Sequence, residues 1–199
     1  MKSFYNPLTL RTVLTFAMLT LMTETKAQQS SGGEDELYLS PSAPVATGKA
    51  PGMKVRLLAE NKGVKNYAIV LGKGDEVMSG LTDFARRNKV TAASFTAIGA
   101  FSHATVAWFD DNRKEFKLIP INQQVELVSM IGDIALSGDQ SVVHTHVAVA
   151  SSDGTVRGGH LIEAHVSPTL ELFLTVYPTA LHKQPDEATG LKLIDPSLK

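Results

Sequence analysis

From residue 54 onward the chain alternates apolar and polar positions over short runs, with one interruption at helical spacing. "KVRLLAE" and "NYAIVLG" read as two strands joined by a turn around Asn61 to Gly63. In "GDEVMSGLTDFARRNKV" the apolar residues Val77, Leu81, Phe84 and Ala85 recur at a helical period, with Asp75 placed to cap the start. The opposite face of that helix carries Asp83, Arg86 and Arg87, as a solvated face would. The pattern then returns to strands. "TAASFTAIGA" predicts a strand and a turn, and "SHATVAWFDDNRKEFKLIPI" a hairpin turning at Asp110 to Arg113. "QVELVSMIGDIALSGD" predicts a long strand in which Gly132 marks a bulge or a close backbone approach. A second hairpin follows in "QSVVHTHVAVAS" and "TVRGGHLIEAHV". Pro168 then interrupts, and "TLELFLTVY" is a last strand before a polar, turn-rich tail. One amphipathic helix packed on a mostly antiparallel sheet predicts a single α+β domain over 54–196.

The first 53 residues lack any such period. Lys2 and Arg11 precede the apolar run Val13 to Met22, and small residues stand at Thr25 and Ala27. This order predicts a secretory signal peptide over 1–27, hence a periplasmic or secreted protein with no membrane span after cleavage. Residues 28–53 are rich in Ser, Gly, Pro and charge and predict a flexible linker. The chain has 199 residues, enough for one sizeable core. Its formal net charge is −1; without residues 1–27 it keeps 16 basic and 19 acidic residues, a net of −3. Such a balance speaks against nucleic acid as a partner. There are no cysteines, so a disulfide framework and a thiolate metal site are both excluded.

The candidate chemistry lies in "VVHTHVAVASSDGTVRGGHLI". His144 and His146 share one face of their strand, because side chains alternate. Suppose Ser152-Asp153-Gly154 is a three-residue loop with Gly154 left-handed. Ser151 then pairs with Thr155, and His146 lies opposite His160. Three imidazoles would converge. A two-residue Asp-Gly loop would instead turn His160 to the other face, unless a bulge at Gly158-Gly159 restored it. Three neutral imidazoles suit zinc and leave a fourth position for water or substrate; other imidazole-accepting metals stay open.

The other titratable residues fit this site less well. Alternation sends His165 to the opposite face from His160; His103 begins a strand and His182 sits in the tail. Asp133, Asp139 and Asp153 suit turns and strand ends. Glu171, inside the apolar "PTLELFL", must find a partner. It is the candidate catalytic carboxylate for proton transfer. It could equally orient a histidine, bridge to another subunit, or simply face outward.

"YAIVLGKGDEVMSGLTDFARRNKVTAASFTAIGAF", "VELVSMIGDIAL" and "HTHVAVASSDGTVRGGHLIEAHVSPTLEL" together resemble the PPC (plants and prokaryotes conserved) domain. The resemblance implies a compact α+β fold assembled as a homotrimer. It also implies a metal, zinc by expectation, on the histidines matching His144, His146 and His160. The fold is more distantly similar to that of acetolactate decarboxylase, which suggests lyase or hydrolase chemistry on a small molecule. Two alternatives accompany this reading: a metal-bearing binding module without turnover, and a DNA-binding protein like plant members of the family. The chain has no Arg-Gly-Arg-Pro hook and no basic cluster.

Overall fold

Alternation along the strands decides what lies inside. In a computed structural model, residues 37–198 are described; the expected signal peptide over 1–27 and the start of the linker fall outside them. The elements run β1 (Tyr38–Leu39), β2 (Lys54–Asn61), β3 (Val64–Gly72), α1 (Val77–Arg87), β4 (Ala92–Asp110), β5 (Glu115–Ile121), β6 (Val125–Ser137), β7 (Gln140–Ala150), β8 (Val156–Val176), β9 (His182–Pro185) and β10 (Lys192–Asp195). The fold class is α+β as expected: one helix among antiparallel strands in the order β1-β5-β4-β6-β7-β8-β3-β2.

Strands β4 and β8 also pair with each other, and this closes β4, β6, β7 and β8 into a ring. The first half of β4 lies between β6 and the second half of β8. Its second half lies between β5 and the first half of β8. Inward positions are apolar: Phe95 on β4, Met130 and Ile134 on β6, Val143, Val147 and Val149 on β7, and Leu170, Leu172 and Leu174 on β8 are all buried. Helix α1 buries Val77, Leu81, Phe84 and Ala85, and Tyr67 of β3 meets Phe84 edge-on at 5.3 Å. Burial on this scale supplies most of the drive to fold.

Several expectations are corrected in detail. The helix is capped by Glu76, whose carboxylate accepts from the backbone N–H groups of Met78 and Ser79. Asp75 instead accepts from Gly52 and Gly72 N–H. "TAASFTAIGA" does not end in a turn; it forms the first half of β4, which runs on through Gly99 to Asp110. Pro168 does not interrupt β8, which passes it at a shift in the β4–β8 register, where the ladder needs no N–H. Gly132 marks a close approach: an added β-carbon would lie 2.2 Å from the Phe95 ring. The bulge of β6 is elsewhere, between Leu127 and Ser129.

The second half of the expected linker is tied down rather than loose. Tyr38 and Leu39 pair with Lys117 and Phe116. Gly48, Lys49 and Gly52 donate backbone N–H groups to Asp83, Ser79 and Asp75. Composition missed this because the anchors are polar acceptors on α1 and just before it, not an apolar stripe. Among the described residues no helix is long and apolar enough to cross a membrane.

Candidate metal centre

The β7–β8 hairpin settles the question left by the turn. Ser151 N–H donates to Thr155 O at 2.9 Å, and Gly154 is left-handed at φ 80°. His146 therefore stands directly opposite His160. The core valines of β7 occupy its inner face, so His144 and His146 point to the outer face of the ring. His160 joins them from β8. The three ring centroids lie 5.2, 5.2 and 5.5 Å apart. One ligand nitrogen from each ring can be chosen so that all three lie within 4.8 Å of one another. A metal at about 2.0–2.1 Å from each nitrogen would draw tetrahedral donors to roughly 3.4 Å, a modest contraction.

Asp133 supports the first ligand. It pairs across the ladder with His144, whose Nδ1–H donates to Asp133 Oδ2 at 3.2 Å. This leaves Nε2 of His144 as the free lone pair, the arrangement by which carboxylates orient metal-binding imidazoles. The expectation that Asp133 serves strand-end chemistry is thus corrected. The signal for it was present: "SGDQ" forms a two-residue turn with Ser137 opposite Gln140, and that register carries Asp133 to His144. Lys183 of β9 completes the charge arrangement, with Nζ 3.2 Å from Asp133 Oδ1. Burial raises the Asp133 carboxyl, but His144 and Lys183 together outweigh it and hold the group below its usual value.

His160 is the most enclosed ligand. Phe116 of β5 stacks on its ring at 4.5 Å and 12°. Burial first, then the neighbouring charges of His144, His146 and Lys183, push His160 down from 6.5 to about 4. His146 is lowered too, by burial and then by His144. A ring kept neutral offers its lone pair without first losing a proton, so the donor set fits a divalent transition metal. Neither Phe116 nor Lys183 was legible as part of the site, because each reaches it by pairing far along the chain.

These shifts fix a sign. In the metal-free protein the unfolded His160 takes up its proton near pH 6.5 and the folded one only near 4. Stability is therefore full above about pH 6.5 and declines as pH falls toward 4, by at most about 3 kcal/mol from this residue. Melting curves of metal-free protein between pH 7 and 4.5 are expected to show the decline, and His160→Gln to flatten part of it.

The remaining candidates lie elsewhere. His103 and His165 pair across β4 and β8 and stack at 4.4 Å. His182 lies in β9, opposite Leu136. Glu171 is exposed on the second half of β8, between Val70 and Ile98, and is not brought to the histidine trio.

A PPC protein of Pyrococcus horikoshii superposes with a TM-score of 0.62 at 28% identity, over 78% of this chain and 99% of that one. A metal-containing protein of Archaeoglobus fulgidus gives 0.61 at 29% identity, over 65% and 92%. The bifunctional protein GlmU of Synechococcus sp. (strain JA-3-3Ab) is 29% identical over 127 residues. That match takes in 62% of this chain and 19% of GlmU, so the chain spans about a fifth of that curated relative. The profile of the Plants and Prokaryotes Conserved (PCC) domain matches residues 58–178, a span that holds all three histidines and Asp133, and the chain belongs to that family.

Proposed function

We propose that the chain is an exported protein whose His144, His146 and His160 hold one zinc ion with a coordination position open to a small molecule, on which it carries out lyase or hydrolase chemistry. The convergence of three ligand nitrogens within 4.8 Å carries this reading. Their preference for the neutral state and the Asp133 support of His144 favour it further. His146 is exposed, so a small ligand has a solvent approach to the open side. Bound there, the metal would polarise a carbonyl or lower the pKa of a water molecule. Phe116 excludes water from the His160 side.

The test is elemental analysis of protein purified without chelators, followed by a screen of small carbonyl compounds and esters with zinc present and stripped. One zinc per chain and zinc-dependent turnover are expected. Stoichiometric zinc with ligand capture but no turnover would make it a binding module instead. A chain that takes up no transition metal would overturn both.

Ile98, Ile131 and Phe173 are 62%, 63% and 60% exposed on the outer face of the ring, around Thr96. A contiguous apolar face of this kind favours the homotrimer as the working form. Glu171 lies on the same face, where bridging between subunits suits it better than proton transfer. Light scattering should give the mass of three chains, and a monomer would remove the assembly. Export is checked by the N-terminal residue of the native protein, with Gln28 expected and Met1 against it.

A further inference from the structure

The family profile ends at residue 178, yet the metal centre does not. Beyond that point the chain adds the β9–β10 hairpin, and β9 runs parallel to the end of β6 with Lys183 opposite Ser137. Ser137 and Asp133 are four residues apart on one strand, so Lys183 stands on the face that Asp133 occupies. Its side chain is only 5% exposed, which is rare for an ammonium group unless it is paired. The pairing is with Asp133 Oδ1, while Oδ2 of the same carboxylate receives the Nδ1–H of His144. The result is a line of three charged or polar groups ending on a metal-binding imidazole.

Each member of the line alters the next. A carboxylate on Nδ1–H fixes the ring and raises the electron density it offers a metal. A cation on the other carboxylate oxygen withdraws part of that density and adds positive potential beside the site. We infer that the β9–β10 hairpin tunes the metal centre: Lys183 offsets the Asp133 charge, so that the histidines hold the metal less tightly and leave it more electrophilic than Asp133 alone would. Asp133 and Lys183 are positioning residues, acting through His144. The inference rests on the metal-site reading and adds a direction to it. A purely structural Lys183 would weaken binding when removed; a tuning Lys183 strengthens it.

Zinc affinity of the full chain, measured by competition with a chromophoric chelator at neutral pH, separates the two. Asp133→Asn is expected to bind about 10- to 100-fold more weakly. Lys183→Met is expected to bind about tenfold more tightly. Lys183→Arg, which keeps the charge, should stay within about twofold of the parent, a rescue that packing alone does not predict. The Asp133 side chain keeps 30% exposure overall, but the Oδ1 that meets Lys183 is buried, so the Met variant leaves that oxygen unpaired and its folding is checked first. Circular dichroism checks the fold, and Lys183→Gln replaces the Met variant if that one does not fold. Unchanged or weaker zinc binding in a folded Lys183→Met or Lys183→Gln variant overturns the inference. So does failure of both neutral variants to fold, which would make Lys183 a structural necessity. If the parent chain itself takes up no zinc, the metal site fails first, and the two failures are told apart by that control.

Discussion

His146→Ala is expected to empty the metal centre while leaving the protein folded. The residue is exposed on the outer face of the ring, and its strand neighbours Thr145 and Val147 hold β7 in place from the inner side. Removing its ring therefore leaves no cavity, and the metal-free melting temperature should move by only a few degrees. The effect on binding is of another order. Losing a supporting carboxylate typically costs 10- to 100-fold in affinity, and losing one of three direct ligands costs more, about 1,000-fold or beyond. Elemental analysis beside circular dichroism tests both halves. Unchanged metal content would remove His146 from the site. His160→Ala makes a useful contrast: that ring is packed under Phe116, so its loss should lower stability as well as affinity.

Gly158→Val is expected to damage both fold and site from a position that binds nothing. A β-carbon at Gly158 would lie 2.4 Å from the backbone oxygen of Val147, well inside contact distance. At Gly159 it would meet Ala107 O at 2.5 Å, on the other side of the strand. The two glycines let β8 fit between β7 and β4 just before His160. Valine at 158 must push β7 and β8 apart, an overpacking cost of about 1–3 kcal/mol. Gly158 pairs with Ala148, two positions from the His146–His160 pair, so the rings should separate as well. A shifted denaturation midpoint together with weaker zinc binding is the expected outcome. A stable variant with parental affinity would show that the close approach can relax.

How much of this was legible follows from how local each contact is. Turn chemistry and alternation act within twenty residues and narrowed the β7–β8 register to two loops; the observed pairing is the one the three-residue loop gives. The helix was legible in its apolar positions, yet its cap was misplaced by one residue. Asp75 and Glu76 are both acidic, and only the fold decides which reaches the first turn. Asp133 was readable in principle, from the two-residue Gly138-Asp139 turn, by the same register argument as the histidines. Phe116 and Lys183 were not. Phe116 reaches His160 by way of β4, and Lys183 arrives from a tail whose composition shows no period. The docking of residues 48–52 escaped for a related reason: its side-chain anchors are single carboxylates and a hydroxyl, which leave no pattern along a strand.

The closing of the ring also sorts the site by distance along the chain. Asp133, His144, His146 and His160 all belong to the β6–β7–β8 meander, whose two turns join neighbouring strands. The seam between β4 and β8, in contrast, joins residues from 53 positions apart (Ala107 with His160) to 83 apart (Ala93 with Val176). Loop-closure entropy grows with such separations, and pairings of this range form slowly. The ligands thus come together through short-range pairings, while their aromatic roof (Phe116, 44 residues before His160) and buried cation (Lys183, 50 residues after Asp133) arrive from farther along the chain.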